Sequence, residues 1–395
     1  MISVEEAKIL IVKSSFRLNP VCREISKSLR CVLAEDLFSP LNYPPFDQSA
    51  MDGFAIFHSD IPGKVEIEIV GESPAGNPYK EKISSGQSVR VFTGGKIPEG
   101  ADAVIVQEKV SIENGKIISE EKQIIKGANI RENGSQIKKG ELVLKKGTVL
   151  NPGAIGFLAS LGITEVKVFP EPKVSIIVTG NELQKSGNPL VNGQIYESNS
   201  FALKSALESI NIPSVNIVII GDDEKITKET LSKEINNSDV VLVSGGISVG
   251  KYDFVGKCLE ELQVENVFYK ISQKPGKPMF FGRKNDCLIF GLPGNPASAL
   301  SCFYEYVITS LKIMQGFSDI SLKKVCLKII SDYKKKEGLS LFLKGKTMED
   351  KVEILSGQES NNIGAFAFAD CLIYLPAEKG NVKSGEFVEV HLLPV

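Results

Sequence analysis

The chain has 395 residues, with 46 Lys+Arg against 48 Asp+Glu and a formal net charge of −2, which gives no global attraction to nucleic acid or to an anionic membrane. Seven scattered cysteines without a C-x-x-C pair, and only two histidines (His58 and His391), argue against a disulfide framework, a zinc site or a Ser-His-Asp triad. Acid–base or metal chemistry therefore falls to carboxylates, lysines and hydroxyls. No apolar run reaches the length of a membrane span and the N-terminus lacks a secretory pattern, so a cytoplasmic protein is expected.

This length calls for more than one core. Residues 3–39 read as helical, first in the amphipathic Val4-Glu5-Glu6-Ala7-Lys8-Ile9-Leu10 and again over about 21–38. Pro40 and Pro44-Pro45 then stiffen a crossing into short β runs, including 65–70, 88–92, 103–106 and 116–118, broken by Gly and Pro. Helical character returns around 154–161. Past Pro170-Glu171-Pro172, apolar runs at 173–179, 215–221, 240–244 and 287–290 alternate with helical stretches at 200–210 and 226–235, the pattern of a doubly wound parallel sheet. After Gly316 the signals are β again. The expected architecture is multidomain α/β plus β: an N-terminal helical/linker domain (1–41 with 137–169), a small β domain (42–136), a central α/β domain (170–317) and a C-terminal β-barrel (318–395).

Three loops follow candidate strands of the α/β segment. Ser244-Gly245-Gly246-Ile247-Ser248-Val249-Gly250, with Asp253, follows the apolar run 240–243. Missing side chains there let backbone N–H groups approach an anion. Lys274-Pro275-Gly276-Lys277-Pro278 puts two ammonium groups on a stiff turn suited to a phosphate or small tetrahedral oxyanion. Gly291-Leu292-Pro293-Gly294-Asn295-Pro296-Ala297-Ser298 opens a helix and offers its N-terminus to an anion, yet it is not a P-loop, because no Gly-Lys-Ser/Thr ends it. Each is an ordinary turn when taken alone; together, at the carboxyl ends of strands, they mark a ligand site. Glu182, Asp222, Asp223 and Asp253 also fall at strand ends, where converging carboxylates suit a hard cation such as Mg²⁺ against a phosphate. Asp222 and Asp223 serve equally well as helix caps.

These segments resemble the MoeA/gephyrin E-domain family, the molybdopterin molybdenumtransferases. The resemblance is carried, in order, by Phe46-Asp47-Gln48-Ser49-Ala50-Met51-Asp52-Gly53, Thr93-Gly94 with Pro98-Glu99-Gly100-Ala101-Asp102-Ala103-Val104, Thr179-Gly180-Asn181-Glu182-Leu183 and the three loops above. It implies a transferase that takes adenylylated molybdopterin and molybdate, uses Mg²⁺, and releases AMP. It implies Asp52, Glu182, Asp222 and Asp253 as the catalytic acids, the last three also holding the metal. Substrate would meet Thr179, Gly180, Ser244, Gly245, Gly246, Ser248, Gly250, Lys274, Gly276, Lys277, Pro293, Gly294, Asn295 and Ser298, with Lys344 and Ser360 from the C-terminal domain. It further implies a homodimer with composite sites in which Asp52 acts on the partner's cleft, an adenylyltransferase that supplies the substrate, and molybdoenzymes that accept the product.

Three departures from the family pattern cover four positions: Ser135-Gln136 for Glu-Asp, Asn181 for Asp, and Lys344 for Arg, which loses a bidentate grip. They bear on efficiency or oxyanion preference rather than on fold. The competing readings are a non-catalytic molybdopterin-binding scaffold and a tungstate-handling paralogue.

Overall fold

The computed structural model describes residues 1–61, 66–119, 121–247 and 254–394. The chain divides into two compact units, one formed by Met1–Cys22, Arg30–Ala34 and Lys167–Val395, the other by Arg23–Leu29 and Glu35–Val166.

The larger unit is built on a six-stranded sheet in the order Val215–Ile220, Val174–Thr179, Val240–Ser244, Cys287–Leu292, Phe280–Lys284, Glu265–Tyr269. The first four strands are parallel, and Phe280–Lys284 pairs antiparallel with both Cys287–Leu292 and Glu265–Tyr269, so the expected parallel sheet gains antiparallel pairings at one edge. Apolar runs with no alternation, such as Val240-Val241-Leu242-Val243, form strands covered on both faces, and each fully buried aliphatic side chain stabilises the fold by ~2 kcal/mol. Ile176, Val178, Leu242 and Phe290 face a cluster completed by helices Asn199–Ser209 and Ile308–Met314. Ile177, Val241, Val243 and Ile289 face the opposite one, completed by helix Glu224–Asn237 and Val255.

Helix Val4–Ser14 begins with a capping box between Ser3 and Glu6 and buries Val4, Ala7 and Ile11 in the first of these clusters. Residues 21–38 are not helical. They form strands Val21–Glu24, Val32–Leu33 and Leu37–Phe38 with a 3₁₀ turn at Ile25–Lys27. β-Branched residues and Arg30 at φ 65° work against a helix, and Val32 and Leu33 find strand partners in Phe169 and Val168.

The C-terminal strands close into a barrel. Ser340–Met348 pairs with Lys351–Ile354, which pairs with Lys323–Ile329, then Phe387–Leu392, then Cys371–Leu375, and Cys371–Leu375 returns to Ser340–Met348. The short strand Gln273–Lys274 adds to Ser340–Met348 in parallel, joining the two-lysine turn to the barrel.

In the smaller unit a six-stranded sheet runs in the order Ala103–Val106, Gly53–Ile56, Gln87–Val91, Glu66–Ser73, Lys116–Ser119, Val110–Glu113, with apolar clusters on both faces. Helix Pro152–Ser160 matches the expected stretch and is capped by Asn151.

Candidate functional site

A cleft of about 820 Å³ opens at the carboxyl ends of the parallel strands. From Val174–Thr179 the chain reaches Val215–Ile220 on one side, and the next strand, Val240–Ser244, lies on the other. The strand order thus reverses between the Thr179 and Ser244 loops, the place where open α/β sheets receive ligands. Thr179, Gly180, Glu182, Asp222, Ser244, Gly245, Gly246, Pro293, Gly294 and Asn295 all line the cleft. Residues distant in sequence meet because Val178 pairs with Ser244 and Ser244 with Leu292.

The glycines are sterically required. Gly245 has φ 94°, and a Cβ there would stand 2.7 Å from the Thr179 carbonyl and 2.9 Å from its Oγ1. Asn199, at the start of helix Asn199–Ser209, fastens the loops to one another: Nδ2 donates to Ser244 Oγ at 2.8 Å and to the Gly294 carbonyl at 2.7 Å. Sequence reasoning missed Asn199. Its only signal is the helix-start run Ser198-Asn199-Ser200, which normally means a cap. The capping work belongs instead to the buried Glu197, whose carboxylate accepts from the Ser200 N–H at 2.7 Å and from its hydroxyl at 2.5 Å.

The ambiguity between Asp222 and Asp223 is resolved by geometry. Asp223 caps helix Glu224–Asn237 by accepting from the Ile226 N–H at 2.8 Å. Asp222 faces the cleft and exchanges hydrogen bonds with Asn181: the Asn181 N–H donates to Asp222 Oδ2 at 3.2 Å, and the Asp222 N–H to Asn181 Oδ1 at 3.0 Å. Glu182 lies exposed beside them. Among the described residues no three His, Cys, Asp or Glu side chains gather closely enough to hold a metal ion by themselves. Two carboxylates do suit Mg²⁺, which keeps several waters and takes the rest of its shell from phosphate. Ser248, Gly250 and Asp253 lie outside the described residues.

The remaining residues fall into two groups. Pro278 lines the cleft, which brings the two-lysine turn to its rim with Lys274 and Lys277 exposed and Gly276 buried. Ser298 is buried, and its N–H is taken by the Ser360 carbonyl at 3.2 Å, while Asn295 Nδ2 donates to Ser360 Oγ at 3.1 Å. Ser360 therefore ties the barrel's loop to the helix start, and its neighbour Asn361 lines the cleft. Lys344 is buried, with Nζ donating to the Glu359 and Asn362 carbonyls, both at 3.2 Å. Burial holds its ammonium below the ordinary lysine range, opposed by Glu359. It supports that loop from beneath.

In the smaller unit Asp52 precedes strand Gly53–Ile56, and its Oδ1 accepts from the Thr93 N–H at 2.7 Å and hydroxyl at 2.8 Å. Those bonds hold its carboxyl below the ordinary aspartate range. Gly53 lets this strand approach its neighbour, since a Cβ would overlap the Ile105 carbonyl. The changed pair Ser135-Gln136 is backbone-bonded, Ser135 N–H to the Glu132 carbonyl and Gln136 N–H to the Tyr43 carbonyl, both at 3.0 Å.

An open α/β sheet with a glycine-walled, acid-lined cleft at its switch point defines a protein that binds a phosphorylated or similarly anionic ligand. Family models make the class specific. Residues 175–313 match the probable molybdopterin binding domain, 2–162 the MoeA N-terminal region (domain I and II), and 327–393 the MoeA C-terminal region (domain IV). The chain belongs to the MoeA family. It is 36% identical to the molybdopterin molybdenumtransferase of Haemophilus influenzae over 92% of each chain, and 31% identical to that of Staphylococcus aureus over 99% of this chain and 95% of the relative. A solved molybdopterin biosynthesis MoeA protein from Pyrococcus horikoshii superposes with a TM-score of 0.84 at 31% identity, covering 100% of this chain and 99% of the other.

Proposed function

We propose that this protein is a molybdopterin molybdenumtransferase of molybdenum cofactor biosynthesis. It takes adenylylated molybdopterin and molybdate, cleaves the adenylyl pyrophosphate linkage with release of AMP, and leaves molybdenum on the dithiolene. The observation that carries the reading is the convergence of Thr179-Gly180, Ser244-Gly245-Gly246 and Pro293-Gly294-Asn295 with Glu182 and Asp222 in one cleft at the switch point. The glycine loops cradle the phosphates. Asn199 keeps two of those loops in register, so the cradle exists before substrate arrives.

Glu182 and Asp222, joined by Asp253, would hold Mg²⁺, which when bound neutralises the charge that grows on the pyrophosphate oxygens. Lys274 and Lys277 draw molybdate to the rim. Ser360 and Lys344 act more remotely, by fixing the loop that carries Asn361. In this reading the protein works in the cytoplasm as a homodimer of four-domain subunits, with the boundaries expected from the sequence. Asp52 completes a partner's cleft, an adenylyltransferase delivers the substrate, and a molybdoenzyme collects the product.

The direct test incubates the protein with adenylylated molybdopterin, Mg²⁺ and molybdate and follows AMP. Release that requires both ions is expected; none would overturn the assignment. Composite sites are tested by mixing Asp52→Ala with Asp222→Ala under subunit exchange. Random pairing of two inactive variants restores roughly a quarter of wild-type activity if the acids act across the dimer, and none if each site lies within one chain.

A further inference from the structure

The two-lysine turn is anchored by a buried side chain that belongs to no motif. Pro275 and Pro278 have no N–H, so the turn has few donors of its own for its inward carbonyls. Gln273, only 1% exposed, supplies them: Nε2 donates to the Pro275 carbonyl at 3.1 Å and to the Gly276 carbonyl at 3.3 Å. Its Oε1 accepts from the hydroxyl of Tyr306, a fully buried residue of the π-helical segment Phe303–Val307. Carbonyls only accept and the hydroxyl can donate, so both ends of the amide are fixed by their partners. Gly276, at φ 85°, presses the same turn on helix Pro296–Cys302, where a Cβ would overlap Cys302 Sγ. Lys274 and Lys277 thus leave a rigid backbone while their ammonium groups stay in solvent.

We propose that Gln273, oriented by Tyr306, is a positioning residue for oxyanion capture. By clamping the two carbonyls between the lysines it sets the spacing at which both ammonium groups close on one small tetrahedral oxyanion. A free turn would have to lose backbone entropy on each binding event; a clamped one has lost it already. The inference rests on the molybdate role given to this turn above.

Gln273→Met keeps length and removes both donors, and Tyr306→Phe deletes one hydroxyl. AMP release is measured against molybdate concentration. Gln273→Met should raise the half-saturating molybdate about tenfold and Tyr306→Phe less, with the maximal rate at saturating molybdate largely kept. Added to Lys277→Ala, Gln273→Met should cost little more, because it acts through the lysine. Unchanged molybdate dependence, full additivity with Lys277→Ala, or a fall in maximal rate and melting temperature without a change in half-saturation each overturns the proposal. If Gln273→Met does not fold, Tyr306→Phe decides. A wild-type protein indifferent to molybdate removes the functional reading of the turn and this inference with it, whereas a response altered by neither variant removes the inference alone.

Discussion

The resemblance leads an acid to be expected at position 181, where the chain has Asn181, and the bonds of Asn181 are ones an acid could also make. Its Oδ1 accepts from the Asp222 N–H, a task an aspartate performs equally well, so the geometry of the strand end survives. What the amide lacks is charge. Asn181→Asp should therefore fold normally and lower the Mg²⁺ concentration needed for half-maximal AMP release, read from a metal titration of the rate. Asp52 presents the opposite case, a charge kept ionised by its neighbour. The Thr93 N–H and hydroxyl depress its carboxyl, so the anion survives to lower pH than an ordinary aspartate. Thr93→Val keeps the N–H and removes the hydroxyl, and the carboxyl moves back towards its ordinary range. If ionised Asp52 is needed, the acid limb of kcat/KM shifts to higher pH in a pH–rate profile while the alkaline limb stays in place.

At the scale of elements, Gly245 differs sharply from a left-handed glycine that faces open space. A Cβ on Gly245 collides with Thr179, while one on Gly115, at φ 76°, meets nothing within 4 Å. Gly115→Ala should cost about 1–2 kcal/mol for the backbone alone. Gly245→Ala should cost about 3 kcal/mol or more and abolish AMP release, both measurable by denaturant titration and assay. The central sheet was legible because fully buried parallel strands read as unbroken apolar runs, and the runs at 240–244 and 287–290 mark the strands closely. Its antiparallel edge was not: Glu265–Tyr269 and Phe280–Lys284 are mixed in character and defined by pairing rather than pattern. Residues 21–38 misled for the same reason, since Val32 and Leu33 become a strand through partners at 168 and 169. In the site, the motifs announced the loops and acids, while Asn199 and Gln273 stayed hidden: Asn199 bonds to segments remote in sequence, and Gln273 is turned inward onto its own turn by the remote Tyr306. Lys344 was visible as a cation, but its direction, into the Glu359 and Asn362 carbonyls, is a product of the barrel's packing.

At the scale of the larger unit, helix Val4–Ser14, the segment Phe303–Val307 and the barrel are joined by polar contacts centred on the buried Glu305–His391 pair and extending to an exposed one. Glu305 accepts from Lys8 Nζ at 2.7 Å and pairs with His391 Nδ1 at 2.6 Å, and the Tyr374 hydroxyl donates to Glu5 at 2.5 Å. Burial pushes the Glu305 carboxyl up, but Lys8 and His391 outweigh it and hold it below the ordinary glutamate value of 4.5. A carboxyl depressed in the folded state contributes stability that is complete above its unfolded pKa and lost as pH falls through the folded one. The melting temperature should thus decline below about pH 4.5. Lys8→Met should cost about 1–3 kcal/mol at neutral pH, less than a wholly buried pair because Lys8 is 27% exposed and His391 remains.

That first helix has a further consequence, one of timing. It docks where Ser15 Oγ meets Ser310 Oγ at 2.7 Å and the Leu18 N–H reaches the Met314 carbonyl at 3.0 Å. A ribosome adding about 5–20 residues per second makes the helix roughly 15–60 s before Leu311 emerges. Through that interval Val4, Ala7 and Ile11 lack the part of their cluster that helix Ile308–Met314 supplies. The helix is made long before its seat is complete, so chains arrested before Leu311 should be held by chaperones more readily than finished ones.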